Sequence, residues 1–277
     1  MEDPRSFEDW FKQTLAPYLV HACASLCIIF CFSWVVKYRG GFSFSFPHIF
    51  NLHPLLECIV FVLAVPEAIL LFRFSGFKRT TSKPFHVSLQ SLNIFLAIFG
   101  LAAVIKYHED EGDAHFHSLH SWLGLATLLL FSSQYILGWI TYYYVVARNR
   151  SKLSALHPII GVIVVFLSSL SIMTGLMEKT TFIQACSSKL SHECLIANFT
   201  GLFAVLTYIS LAIALSAPRF YSLNRGNDNM LNTTDHIEQE EVTGVDRQTL
   251  HDTLLFSSEE EERTTTIIRE RLLSEES

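Results

Sequence analysis

Polar residues gather in short clusters along this chain. Between them lie six apolar runs, roughly Tyr18–Val36, Pro54–Phe72, Val87–Ile105, Ser121–Ala147, Pro158–Met177 and Leu195–Ala217. Each approaches or exceeds the ~20 residues a helix needs to cross a bilayer core of ~30 Å. Four of the six contain no Asp, Glu, Lys, Arg or His. The runs are continuous, unlike the dispersed helical or alternating periods of a soluble domain. The pattern predicts an all-α membrane protein with six transmembrane helices. Met1–Pro17, ahead of the first run, is acidic and holds Trp10. A signal peptide instead starts basic and ends in a small-residue cleavage site, so the first run is read as a retained helix. Short connections make consecutive helices neighbours in one up-and-down bundle.

Composition agrees, with half of the 277 residues hydrophobic. The net charge of −6 gathers in the tail, around Glu238–Glu241, Glu259–Glu262 and Glu275–Glu276. No basic stripe suits nucleic acid, which is not expected as a partner. The two sides of the membrane differ in basic residues. Eleven lie on the side of the termini and five on the other, Lys37, Arg39, Lys106, Lys179 and Lys189. The positive-inside rule then puts both termini in the cytosol. The expected division is a cytosolic N-terminus (1–15), a six-helix domain (16–217) and a disordered acidic tail (218–277). The tail is polar and rich in Ser and Thr, and it ends in a dileucine-like Arg271-Leu272-Leu273. Cys23, Cys27 and Cys31 share one face of the first helix and, with Cys58, read as small packing residues. Cys186 and Cys194 share the short loop between helices five and six, and form a disulfide if that loop faces an oxidising lumen.

Four of the twelve histidines form a pattern. His53, His86, His120 and His157 open helices two, three, four and five, at spacings of 33, 34 and 37 residues. Helices two and four start on the non-cytosolic side, helices three and five on the cytosolic side. His53 and His120 therefore share one end of a central four-helix bundle, and His86 and His157 share the other. Ionisable groups within a bilayer are costly and mark function. Tetrahedral zinc needs about four converging ligands. Two opposed imidazoles between apolar walls suit the two axial positions of a haem. The expectation is two b-type haems, one near each membrane face.

The residues around these histidines resemble the cytochrome b561 family. The likeness is carried by Phe50-Asn51-Leu52-His53-Pro54, by Ser118-Leu119-His120-Ser121-Trp122-Leu123-Gly124 and by His157. Glu67–Arg73, followed by Lys78-Arg79-Thr80-Thr81 and Lys83-Pro84-Phe85-His86, is similar to the family's cytosolic donor region. The resemblance spans about residues 15–217. It implies a homodimeric dihaem electron carrier in membrane lipid, moving electrons from cytosolic ascorbate to monodehydroascorbate or ferric iron. It pairs the haem ligands as the topology does. The family-like positions imply ascorbate contacts at Lys83 and Arg150. Lys78 and Arg79 add positive charge beside the same histidines, as an anionic donor requires. His108 matches a luminal histidine of the family, and it and the adjacent Lys106 are the expected acceptor contacts.

The chain also departs from the family. His117 stands where a Tyr is common, and Gln90 where a further His is frequent. With His108 and His115, His117 makes an acidic, histidine-rich loop, a composition that attracts ferric or cupric ions. A metal or proton transporter using membrane-end histidines is the competing reading, favoured by Glu57 and Glu67 inside helix two. A third is a non-catalytic adaptor acting through its tail. The host membrane is expected to be an endomembrane (lysosome, endosome or secretory vesicle) or the plasma membrane.

Overall fold

The structure, a computed structural model, describes residues 7–74, 77–143, 147–186 and 191–217. Among these, the side chains of 79–80, 142–143 and 147–154 lie outside the description, as does the expected tail of 218–277. The described residues form helices joined by loops. Six helices are long and apolar enough to cross a membrane. They are α1 (Phe7–Tyr38), α2 (His48–Phe74), α3 (Arg79–Glu111), α4 (Leu119–Tyr143), α5 (Ala147–Phe182) and α6 (His192–Ser216). This is the expected all-α, six-span architecture. Phe95, Ile98, Trp122, Leu129, Ile136, Ile159, Val162 and Phe166 are exposed on the outer surface. Such a surface suits lipid, where a helix pairs most of its backbone polar groups within its own segment.

In lipid the hydrophobic effect does not drive helices together, so small residues that permit close packing decide which helices pair. α1 packs most extensively on α6, α4 on α5, and α2 on α3. The α1 seam is Ala16, Val20, Ala24, Cys27 and Cys31, spaced three or four residues apart on one helix face. It meets Ala204, Tyr208, Leu211 and Ala214 of α6. Cys27 and Cys31 are free thiols buried in this seam, as packing residues would be.

Helices α2 to α5 make the central bundle. A buried layer of Val60, Phe61 and Val65 from α2, Ala97 from α3, Phe131 from α4 and Val164 from α5 fills its middle. Phe61 and Phe131 meet edge to face, with ring centroids 5.5 Å apart. α2 passes through a π-helical stretch, Ile59–Ala64, just before Pro66. Proline lacks the N–H for the usual helical bond and crowds the preceding turn, and a wider turn relieves both. The Phe61 carbonyl in this stretch accepts a hydrogen bond from Tyr208 Oη of α6 at 3.2 Å. Tyr208 is also 3.1 Å from Ser168 Oγ, so this buried hydroxyl ties α6 to α2 and α5.

Polar ties close the helix ends. Arg73 Nη2 of α2 donates to the carbonyls of Leu215, at 2.8 Å, and Ala217, capping the otherwise orphaned carbonyls that end α6. Asn51 Nδ2 donates to the carbonyls of Arg39 and Gly41, at 2.9 and 2.7 Å, and fixes the α1–α2 loop. Gly40, at φ +81°, supplies the left-handed turn there. Cys186 and Cys194 form a disulfide between α5 and α6.

Candidate functional site

The bundle has two ends, named here for their landmarks. The disulfide end carries His53, His120 and the Cys186–Cys194 bridge. The other, the donor-loop end, carries His86, His157 and the α2–α3 loop.

At the disulfide end the His53 and His120 rings stand 5.9 Å apart between centroids, at 69°. At the donor-loop end His86 and His157 stand 6.2 Å apart, at 71°. An iron midway between two imidazoles, bonded at about 2 Å to each, would hold the centroids roughly 6 Å apart. Each pair contains one ring tied to a neighbouring helix. His120 Nδ1 donates to the Ser171 carbonyl of α5 at 2.9 Å, and His86 Nδ1 donates to the Ala68 carbonyl of α2 at 3.0 Å. A carbonyl can only accept, so both Nδ1 atoms carry the proton and Nε2 keeps its lone pair for a metal. The second ring of each pair is held more loosely. His53 Nδ1 is buried without a hydrogen bond, 3.8 Å from Glu57 Oε1. His157 Nε2 has Gln134 Nε2 at 3.4 Å.

The space around the pairs differs. A cavity of about 480 Å³ opens at the disulfide end. Its walls include Leu101, Val104, Leu125, Leu128 and Ile172, with His53 and His120 among them. Gly175 is the closest wall: a Cβ there would come within 2.6 Å of His120 Cε1. The apolar walls, opposed imidazoles and close-approach glycine fit a haem. At the donor-loop end the cavity is about 40 Å³, lined by Gln90, Phe131, Gln134, Tyr135 and Trp139 besides the two histidines. The imidazole spacing there fits an iron, and the enclosed space beside it is the smaller of the two. Gln134 fills that end, its Oε1 buried without a partner.

The remaining expected contacts are placed as follows. Lys78 is exposed and precedes the first turn of α3, and Lys83 is half-buried three residues before His86. The side chains of Arg79 and Arg150 lie outside the description. His108 lines the large cavity. Lys106 is paired with Asp110 one turn on and is not among the lining residues. His108 has His115 at 5.8 Å and His117 at 6.5 Å between ring centroids. No three His, Cys, Asp or Glu side chains among the described residues converge on one ion.

Residues 52–183 match the family model described as eukaryotic cytochrome b561. A probable ascorbate-specific transmembrane electron transporter 2 of Oryza sativa subsp. japonica is 33% identical over 208 residues, 73% of this chain and 88% of that protein. The chain belongs to the cytochrome b561 family. Transmembrane ascorbate ferrireductase 2 of Arabidopsis thaliana is 35% identical over 181 residues, 63% of this chain and 79% of the relative. A lysosomal membrane ascorbate-dependent ferrireductase of Mus musculus is 33% identical over 224 residues, 76% of this chain and 92% of the relative. For this cytochrome b561, membership implies haem b as cofactor, in a multi-pass membrane protein.

Two features of this cytochrome b561 escaped the sequence reading. Ser168, Ser171 and Gly175 of α5 follow at helical spacing and all line the large cavity. That run of small residues is the signal that something approaches α5 closely. Lys179, one turn further, lines the same cavity. A lysine inside the last turn of a membrane span was the signal there.

Proposed function

We propose that this protein carries electrons across a membrane, from cytosolic ascorbate through two haems b to ferric iron or monodehydroascorbate on the other side. The observation that carries the proposal is the repeated imidazole pair. His53 with His120 and His86 with His157 are spaced alike at opposite ends of one bundle. The names of the relatives, ascorbate ferrireductases and electron transporters, supply the donor and the acceptor. When bound, haem supplies a centre that takes up and gives up one electron.

The side chains hold and insulate. His120 and His86, fixed by their Nδ1 bonds, present Nε2 at a set orientation. His53 and His157 face them and would serve as the second ligands. The layer around Phe61 and Phe131 keeps water out of the middle. At the donor-loop end Lys78, Arg79, Lys83 and Arg150 would attract the ascorbate monoanion. The charge bias of the loops supports a cytosolic position for that end. His108, lining the large cavity, would meet the acceptor. The resemblance supports a homodimer, and the name of the mouse relative supports a lysosomal membrane as host. The transporter reading loses one of its two supports, because Glu67 is engaged by His21 Nδ1 at 2.5 Å.

The test is spectroscopic. Purified protein should carry haem, and ascorbate should reduce it. His86→Ala and His157→Ala should remove one haem together with fast ascorbate reduction. His53→Ala and His120→Ala should remove the other. A colourless protein from haem-replete cells would overturn the proposal, and four variants that all keep two haems would overturn the pairing.

A further inference from the structure

Lys179 is a cation in an unusual place. It sits in the last turn of α5, half-buried, on the wall of the large cavity that also holds His53 and His120. A lysine near a span end ordinarily extends its ammonium toward water. Here Nζ lies 3.7 Å above the centre of the Phe50 ring, with Tyr107 at 5.8 Å. No ion pair joins it to a carboxylate among the described residues. Its charged neighbours are Arg39, a second cation, and the Glu111 carboxylate.

Arg39 lines the same cavity. Its Nη2 is 2.7 Å from Glu193 Oε1, which also accepts from Trp34 Nε1 at 2.9 Å. These contacts fix the guanidinium and leave its Nε buried without a partner. The carboxylates on the cavity wall are Glu57, Asp113 and Glu178, and none of them makes an ion pair with Lys179 or Arg39 among the described residues. Glu57 lies beside His53, and Asp113 and Glu178 lie about His108. Two cations drawn out of water, one on an aromatic face and one with an orphaned donor, are stabilised by an anion between them.

We propose that Lys179, seconded by Arg39, binds a carboxylate at the mouth of this cavity. It belongs either to a propionate of the resident haem or to a carboxylate-chelated ferric acceptor. The inference rests on the electron-transfer reading above and names the chemistry of its exit site. In the acceptor case each ferric ion takes one electron and leaves as ferrous, with no bond or proton transferred.

The test uses the full chain in phosphatidylcholine nanodiscs, reduced with ascorbate and freed of excess reductant. Reoxidation is followed by absorbance with ferric citrate, an anion, and with hexaammineruthenium(III), a cation. Haem content and both midpoint potentials are measured for wild type, Lys179→Gln and Lys179→Arg, with Lys37→Gln as the exposed-charge control. If the carboxylate is the acceptor's, Lys179→Gln slows ferric citrate about three- to tenfold and flattens its salt dependence. The ruthenium rate, haem content and potentials then stay put, and Lys179→Arg restores the rate. If it is the haem's, Lys179→Gln shifts one potential or loses haem, and both acceptors slow alike, while Lys179→Arg stays close to wild type. A Lys179→Gln protein that behaves as Lys37→Gln in every readout overturns the proposal alone. So does equal damage in the Gln and Arg variants. A wild type that ascorbate does not reduce overturns the electron-transfer reading, and this proposal with it.

Discussion

At the disulfide end, His53 and His120 stand 5.9 Å apart in a cavity of about 480 Å³; at the donor-loop end, His86 and His157 stand 6.2 Å apart beside about 40 Å³. Ring spacing therefore does not follow from the room available. It follows from helix packing, because one ring of each pair is tied to the backbone of a neighbouring helix. What differs is the filling. On α5, Ser168, Ser171 and Gly175 leave one end open, while Gln134, Tyr135 and Trp139 of α4 close the other. Ligand geometry and pocket volume are thus set by different residues, and substitution can separate them.

The sharpest separation is expected at glycine. A Cβ on Gly175 would lie 2.6 Å from His120 Cε1 and 2.7 Å from Nδ1, so the ring must move and its bond to Ser171 with it. A Cβ on Gly138 would lie 3.6 Å from His157 Cε1, an ordinary contact. Overpacking of the first kind costs about 1–3 kcal/mol. Gly175→Ala should lose the haem of the disulfide end and keep the other; Gly138→Ala should keep both. The haem-to-protein ratio of the two variants measures this. Equal ratios would mean that the tied ring is not what holds that end.

Much of this frame was legible in the chain, for a physical reason. Spans and histidine placement depend on hydropathy and helix parity, which are properties of sequence order. Helix ends are different. α3 runs past Ile105 to Glu111, and α5 begins at Ala147 rather than Pro158, because backbone hydrogen bonds continue into polar residues outside an apolar run. Contacts between distant helices were hidden as well. Lys106 drew notice because it neighbours His108, yet it turns to Asp110 on its own helix. Lys179 lies one turn beyond Gly175 on the cavity side of α5, but its partners Phe50 and Arg39 come from distant parts of the chain.

A second difference between the ends is covalent. The Cys186–Cys194 bridge closes a loop with a sequence separation of 8 at one end only. Chain entropy assigns such a short loop about 2–3 kcal/mol. The paired Cys186→Ser and Cys194→Ser protein should lose about that much thermal stability in detergent. The His53–His120 haem should become the easier of the two to lose on heating, which difference spectra during the melt would follow. Parallel loss of both haems would show that the bridge stabilises the whole bundle rather than one end.

Between the ends, Tyr208→Phe addresses the layer they share. It removes the bond to the Phe61 carbonyl and the contact with Ser168 without changing shape. A buried carbonyl left without its donor costs about 1–3 kcal/mol. The melting temperature should fall with haem content intact at both ends. Loss at one end only would place Tyr208 with that end instead of the middle.

The smallest effect is expected at Gln134. Its Oε1 is buried without a partner, and its Nε2 is 3.4 Å from His157 Nε2. A Cβ on Gly161 would lie 3.2 Å from the same amide nitrogen, so the side chain has little freedom to turn toward another partner. Leucine has a similar volume and no polar atom to satisfy. Replacing an unsatisfied buried group by an apolar one of the same shape is near neutral or slightly favourable, within about 1 kcal/mol. Gln134→Leu should therefore match or slightly exceed wild type in thermal melts and keep both haems. If Gln134 only fills the donor-loop end, nothing is lost with its amide. A variant that drops the His86–His157 haem would instead make the amide part of that site. The two ends would then differ in polar support as well as in volume.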